Sequence, residues 1–408
     1  MDPRRFQSVC MCGGKTRKTY FSCTLKLNIS RRLKYLNNKN CKFIKIIYME
    51  GNWCITDVFN FLFSACLKRK VLNFDKEKVI LGDVVGEGAY AYVYRAESTT
   101  TDAIYAVKMI FMHSEEFTRS AQQEVAAYNL FQHKNILKLL DHMVGDTETD
   151  QKAMYLLFPF QHGGNLRQML DNRISNPDKI PKLSLKRVFS GFKSICEAVN
   201  VLHTHEPPYV HQDIKPDNIL LGDDGNLILM DFNSVRLADV KINSRADGLA
   251  LADEAASFCT ISYRAPELFD PPRGSTIDTR TDVWALGCLL FTWWFGYSPF
   301  ECDFKGENGK PRVVECTQLK VLSDIPLPPH PSTDDKIVLE IVTWILDKDY
   351  TKRPYTSDVL DRVNDVIQTI DSKEKKEQEE KIKKKEKKDN QSDNKEVAVA
   401  VAPATGKV

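Results

Sequence analysis

Apolar positions along the chain change their period several times, and each change marks an element. Val79–Val85 is apolar and β-rich, which predicts a strand. It runs into Gly86-Glu87-Gly88-Ala89-Tyr90-Ala91-Tyr92-Val93, a glycine turn leading to another strand. Ala103–Ile110 alternates and predicts a strand that carries Lys108. The spacing becomes helical over Ala121–Phe131, with Glu124 on that helix. Asn135–Leu140 and Met154–Phe158 predict two further strands, with the polar run Gly145–Lys152 as the hairpin loop between them. From Leu166 onward the pattern is helical. Val188, Phe189, Phe192, Ile195, Val199 and Leu202 recur at three- and four-residue steps, which predicts a buried helix over Leu185–His203. Asp231–Glu267 is long and polar, and Asp282–Leu290 is an apolar helix.

Composition narrows the class. A chain of 408 residues holds one large domain of about 250–300 residues plus tails. With 42% hydrophobic and 27% charged residues it reads as an ordinary soluble globular protein. The net charge of +2 gives no argument for nucleic acid, and no nucleic-acid partner is expected. The 11 cysteines are odd in number and irregularly spaced, so no disulfide framework is expected. No uncharged apolar run reaches the ~18 residues of a membrane span. The nearest, Trp53–Leu67, is interrupted by Asp57 and Asn60. Nor does the N-terminus read as a secretory signal.

The ends differ from the middle. Residues 1–48 are basic and asparagine-rich, with Asp2 as their one acid. They read as a disordered arm; a transit peptide, or an extension upstream of a start at Met49, stays open. Residues 49–75 form an apolar, cysteine-containing segment with Trp53, Phe59, Phe61, Leu62, Phe63 and Leu67, ending in Lys68-Arg69-Lys70. Aromatic residues and cysteines beside a cationic flank suit membrane-surface contact through residues 49–70, with palmitoylation at Cys54 or Cys66. The alternative is an element packed on the globular part. Residues 371–408 begin as low-complexity lysine and glutamate, and read as a disordered tail or a transient helix.

One stretch carries the chemistry: His211-Gln212-Asp213-Ile214-Lys215-Pro216-Asp217-Asn218. Asp213 can accept a proton, Lys215 can neutralise a travelling phosphoryl group, and the Asn218 side-chain oxygen can bind a hard metal. A second acid follows in Met230-Asp231-Phe232-Asn233. At Gly86 and Gly88 no Cβ keeps a phosphate from the backbone amides. Together these residues resemble the eukaryotic protein kinase family, over residues 79–370.

The resemblance implies an α+β, two-lobed protein kinase fold, with a small β-rich lobe before a larger helical one. It implies a serine/threonine kinase that passes the γ-phosphate of ATP to protein substrates, with Mg²⁺ held by Asn218 and Asp231. Lys108 would contact the phosphates and pair with Glu124; Glu115 and Glu116 are its rivals, nearer the strand end. Phe158 would be the gatekeeper of the adenine site, the Pro159 carbonyl and Gln161 amide would hold the adenine edge, and Val93, Ala106 and Leu220 would complete the nucleotide site. Asp213 would be the base and Lys215 the phosphate clamp, with Thr260 favouring serine and threonine acceptors. The activation segment would end at Ala265-Pro266-Glu267, Glu267 would pair with Arg353, and Asp282 would hold the backbone of the catalytic loop.

Thr260–Phe269 and Arg280–Leu289 are similar to one subgroup, that of the myristoylated and palmitoylated serine/threonine kinase, related to the Numb-associated kinases. Its members are membrane-associated by N-terminal acylation and linked to Golgi and secretory traffic. A cytoplasmic location, peripheral to Golgi or other endomembranes, is therefore expected. The chain departs from the pattern in several places. Asp2 follows Met1, and Glu50 separates Met49 from Gly51, which disfavours myristoylation. Palmitoylation at Cys10, Cys12, Cys54 or Cys66 stays open. Ala91 stands at a glycine position. Gln212 replaces the arginine that pairs with an activation-segment phosphate, so dependence on that phosphate should weaken. Asn233 replaces a glycine, and asparagine tolerates a positive φ. The alternative function is a pseudokinase scaffold in membrane trafficking, but Lys108, Asp213, Asn218 and Asp231 are all present.

Overall fold

The computed structural model describes residues 70–88, 91–147, 149–180 and 183–399, with side chains described as far as 382 except at 377 and 381. The basic arm and nearly all of the aromatic, cysteine-containing segment lie outside the described residues, as do residues 400–408.

Alternation of side chains builds the first layer. Strands β1 (Val71–Asn73), β2 (Lys78–Glu87), β3 (Ala91–Ser98), β4 (Ile104–Phe111), β5 (Asp141–Asp146) and β6 (Lys152–Pro159) form an antiparallel sheet ordered β1-β2-β3-β4-β6-β5. Its register pairs Gly86 with Val93, Val93 with Lys108, Lys108 with Leu156, and Ala106 with Phe158. Residues directly opposite one another share a face, as do residues two apart on a strand. Gly86, Val93, Ala106, Lys108 and Phe158 therefore lie on one side of the sheet. The other side buries Val107, Met109, Tyr155 and Leu157 against Leu72, Phe74 and Val79, a small core of its own.

One predicted strand is displaced. Asn135–Leu140 is not a strand, and pairing with β6 begins at Asp141, so Gly145 and Asp146 belong to β5 rather than to the hairpin loop. Long-range hydrogen bonds are the cause. Leu137 N donates to Leu229 O (2.9 Å), Leu229 N donates to Asn135 O (2.8 Å), and Asn135 Nδ2 donates to Leu227 O (2.7 Å). The β-favouring residues tie the sheet to the part below it instead of extending the sheet.

The helical part follows. Helix α1 (Glu115–Leu130) is N-capped by Ser114, α2 (Leu166–Ser175) by an Asn165/Gln168 capping box and α3 (Leu185–His203) by Ser184. Further along come α4 (Arg245–Phe258), α5 (Arg280–Phe295), α6 (Thr333–Ile345) and α7 (Thr356–Val399). Between them β7 (Tyr209–Val210), β8 (Ile219–Leu221), β9 (Leu227–Leu229) and β10 (Arg236–Leu237) form short ladders, β8 with β9 and β7 with β10. Helix α5 is buried on every side from Thr281 to Trp294, which makes it the axis of this lobe. A Cβ at Gly287 would meet Ile345 Cγ2 at 2.7 Å, so glycine there lets α6 lie close against α5.

Two segments are more regular than the sequence reading expected. The polar stretch after Asp231 contains α4. Asp247 N donates to Ser244 Oγ (3.2 Å) and Ser244 N donates to Asp247 Oδ2 (2.8 Å), a capping box ahead of an alanine- and leucine-rich run. The lysine- and glutamate-rich tail from residue 371, read from sequence as disordered or as a transient helix, continues α7 to Val399. Residues 356–399 contain no glycine or proline, and lysine, glutamate and glutamine are good helix formers. The start of α7 is packed, with Val359 and Val363 fully buried. Lys186 on α3 then pairs with Asp371 (2.7 Å) and Glu374 (3.1 Å).

Glu267 and Arg353 are both buried and form a two-pronged ion pair at 2.7 and 3.0 Å. Arg353 also donates to the carbonyls of Arg280 and Asp347 and lies over the Trp284 ring. Removing one partner leaves a charge with no water to solvate it, at a cost of about 3–5 kcal/mol. Glu267→Gln is therefore expected to lower the urea unfolding midpoint strongly; a midpoint equal to that of the unaltered protein would disprove the pair's role.

Candidate active site

The catalytic loop joins β7 to β8, and a carboxylate from α5 holds its backbone. Asp282 Oδ2 accepts from His211 N (2.6 Å) and Oδ1 accepts from Gln212 N (2.9 Å). His203 Nε2 lies 3.1 Å from Oδ2. These contacts keep Gln212 at φ +67°, a conformation uncommon outside glycine, and the next residue is Asp213.

Asp213 sits in a closed web. Its Oδ1 accepts from Thr260 Oγ1 (2.7 Å) and its Oδ2 from Asn218 Nδ2 (2.9 Å), with Lys215 Nζ 2.8 Å from Oδ2. Lys215 also donates to Thr260 Oγ1 (2.8 Å). Asn218 Nδ2 makes a second bond to the Asp213 carbonyl (2.8 Å). Both amide hydrogens of Asn218 are thus spent on Asp213, which leaves its Oδ1 as the oxygen open to a hard cation.

Asp231 stands across from this web, linked to the sheet by Lys108. Lys108 Nζ is 2.6 Å from Asp231 Oδ1 and 2.7 Å from Glu124 Oε1. Glu124 is therefore the helical partner, and Glu115 and Glu116 are exposed in the first turn of α1. Burial opposes the Lys108 charge, but Asp231 and then Glu124 outweigh it and hold the ammonium well above its usual range. Burial also pushes the Glu124 carboxyl up; Lys108 opposes this and Asp231 adds to it. For Asp231 burial works upward too, yet Lys108 wins and the carboxyl stays below its usual range.

A column of rings backs the two acids. Tyr128 stacks on Phe232 with centroids 4.7 Å apart, and His211 meets Phe232 edge-on at 5.3 Å. The Tyr128 hydroxyl accepts from Asp231 N (2.9 Å). Sequence reasoning missed Tyr128 as a site residue. Its one signal is its position four after Glu124, on the same helical face. The positive φ that asparagine would tolerate at position 233 falls at Asp231 (+66°), two residues earlier, and Asn233 lies within a short 3₁₀ turn, Phe232–Ser234. Asn233 lines a cavity of about 330 Å³ with Asp213, Lys215, Ser257, Phe258, Cys259 and Thr260. Ser257 and Phe258 enter through α4, which the sequence reading had not separated from the polar segment.

On the nucleotide side, Phe158 is buried with its ring 5.0 Å from that of Tyr128, and Pro159 closes β6 opposite Tyr105. Gln161 follows, its Oε1 accepting from Asp223 N (3.2 Å). A Cβ on Gly163 would collide with the Leu221 carbonyl, so the segment crosses β8 at backbone contact and brings Leu220 beneath it. A Cβ at Gly86 would lie 3.4 Å from Val93 Cβ and one at Gly88 3.7 Å from Ala91 O. The fold itself thus scarcely demands glycine at either place, which fits a loop kept bare for a ligand. The donor set fits Mg²⁺ as well. Among the described residues no group of three or more His, Cys, Asp or Glu is placed to hold a metal. A carboxylate and an amide, completed by phosphate oxygens, is the form in which such sites hold this ion.

The description of the protein kinase domain matches residues 80–363. The chain belongs to the protein kinase family. It is 32% identical over 367 residues to a probable serine/threonine-protein kinase of Dictyostelium discoideum, covering 74% of this chain and 97% of that one. Serine/threonine-protein kinase 16 of Rattus norvegicus is 33% identical across 70% of this chain and 90% of its own. The Homo sapiens protein of that name is 36% identical across 59% and 77%. The protein is an ATP-dependent serine/threonine kinase, in a family that uses ATP and Mg²⁺.

Lys108 of this kinase separates two carboxylates, which sets up a test by pH. In Lys108→Met the cation that lowers Glu124 is gone, so the folded pKa of Glu124 climbs further above its unfolded value of about 4.3. A carboxyl raised on folding adds stability that is whole below the unfolded pKa and is lost as pH rises through the folded one. The variant should therefore lose phosphotransfer, and its thermal midpoint should fall behind that of the unaltered kinase progressively as pH rises from about 4.3. A pH-independent gap between the two melting curves would contradict the assignment.

Proposed function

We propose that this kinase phosphorylates protein serine and threonine hydroxyls with Asp213 as the base, Lys215 as the clamp on the transferred group, and Asn218 and Asp231 as the metal ligands. ATP and Mg²⁺ supply the γ-phosphoryl group and the charge that screens it. The chain's own residues do the positioning. Lys108, held by Glu124, directs the phosphates; Gly86, Gly88, Val93, Ala106, Phe158, Pro159, Gln161 and Leu220 receive the rest of the nucleotide. Asp213 orients the acceptor hydroxyl and takes its proton. Positioning and preset charge account for most of the acceleration in such transfers.

The observation that carries this reading is the Thr260 hydroxyl, which bridges Asp213 Oδ1 (2.7 Å) and Lys215 Nζ (2.8 Å). A hydroxyl is thus already accommodated between the base and the clamp. Asp213→Ala should cut the turnover of a serine or threonine peptide by about 10²–10⁴-fold, the usual share of general acid–base catalysis. Nucleotide binding, followed by fluorescence titration, should persist. Undiminished turnover in this variant would remove Asp213 from the role.

The reading extends to subgroup and place. The similarity of Thr260–Phe269 to the myristoylated and palmitoylated serine/threonine kinase subgroup, with the 33% identity to serine/threonine-protein kinase 16, supports membership there. The segment Trp53–Leu67, flanked by Lys68-Arg69-Lys70, supports peripheral contact with an anionic cytoplasmic surface such as the Golgi, anchored through palmitoylated Cys54 or Cys66. No helix among the described residues is long and apolar enough to cross a membrane. Intact mass spectrometry of protein from its own cells should find hydroxylamine-labile acyl groups; protein without any would overturn the anchoring.

A further inference from the structure

Arg236, at the start of β10, makes contacts that the phosphotransfer chemistry does not call for. Its Nη1 donates to the carbonyls of Asn233 (2.9 Å) and Val235 (2.8 Å). Its guanidinium carbon lies 4.5 Å from the centre of the Phe258 ring, and its Nε is 3.4 Å from Glu254 Oε1. Phe258 and Glu254 belong to α4, whereas Asn233 belongs to the metal loop, formed by the proposed metal ligand Asp231 and the turn Phe232–Ser234 that follows it. Asn233 and Phe258 both line the cavity beside Asp213 and Lys215. The backbone of Arg236 is itself paired with Val210 of β7, the strand that leads into His211.

We propose that Arg236 is a positioning residue of the phosphotransfer site, clamping the end of α4 to the metal loop and to the root of the catalytic loop. The chain joins the metal loop to the end of α4 only through the long segment between Asp231 and Thr260. A flat, delocalised cation suits the task, because one face can lie on an aromatic ring while the edges bond carbonyls. Phe258 lies two residues before Thr260, whose hydroxyl and amide both reach Asp213 Oδ1. A shift of Phe258 therefore moves the group that orders the base. The carbonyl and ring contacts carry most of the clamp, since the carboxylate contact is long and partly exposed. That carboxylate comes from the chain itself, so the clamp closes without a phosphoryl group. Gln212 adds no cation nearby, and its Oε1 is buried with no hydrogen-bond partner among the described residues.

The test uses the full chain. Arg236→Ala should lower kcat on a peptide substrate about tenfold or more, since misplacement near 1 Å can cost a hundredfold, while the KM for ATP stays within about twofold. Amide hydrogen exchange should rise together over 233–235 and 257–260 and stay unchanged in α5. Arg236→Lys, which keeps the charge without the fork, should recover part of kcat. Glu254→Gln should lose less than Arg236→Ala, and the exposed neighbour change Asp253→Ala should lose nothing. If Arg236→Ala fails to fold, Phe258→Leu decides by the same readings, because it keeps apolar bulk and removes the ring face. Faster exchange over 233–235 and 257–260 with unchanged kcat would overturn the proposal, as would an equal change in kcat and the KM for ATP.

Discussion

The buried carboxylate of Asp282 holds the backbone from which the rest of the site hangs. A charge inside a protein is expensive unless donors surround it. Asp282 takes the amide of His211 on one oxygen and that of Gln212 on the other, with the His203 ring against the oxygen that His211 binds. Its helix, α5, is itself sealed on all sides by the lower lobe. The cost of burying the acid is thus offset only when the catalytic loop lies in one conformation. That conformation includes the positive φ of Gln212, which would otherwise relax. The same helix receives Arg353, through the carbonyl of Arg280 and the face of Trp284, and with it the anchored end of the activation segment at Glu267.

Lys108 performs the corresponding service between the sheet and the lower lobe. It stands on β4, pairs with Glu124 on α1 and reaches Asp231 in the metal loop. Neither acid is comfortable alone: burial raises both, and the lysine offsets it fully at Asp231 and only in part at Glu124. The ring column of Tyr128, Phe232 and His211 runs beside this pairing. Polar and apolar contacts thus close together, so that the nucleotide side and the acceptor side of the site are ordered by one arrangement of α1.

Many of the side chains that the fold brings together were legible in the sequence, and for a local reason. Asp213, Lys215 and Asn218 must meet within one loop, so their spacing survives in the sequence as a motif. Lys108 and the glycines lie on strands whose alternation is also readable. Legibility ended where distant segments compete for the same backbone. Asn135–Leu140 has the composition of a strand, but the Leu137 amide and the Asn135 carbonyl go to Leu229. Helix α4 was signalled by Ser244 and Asp247 at capping-box spacing, yet the surrounding polarity hid it. Asn233 could have tolerated a positive φ, but it is Asp231 that adopts one.

What the sequence by itself determined is the family, and which acids, which cation and which amide stand in what order along the chain. These depend on residue type and short-range spacing, which a linear string records. Only the tertiary structure decided that Lys108 reaches Asp231 as well as Glu124, that Tyr128 backs the loop carrying Asp231, and that Arg236 reaches α4. Each of these rests on side chains far apart in sequence, brought within about 3 Å for the polar contacts and a few ångströms more for the rings. Burial selects such pairs, because a charge or polar group removed from water must find its partner wherever the fold has placed one.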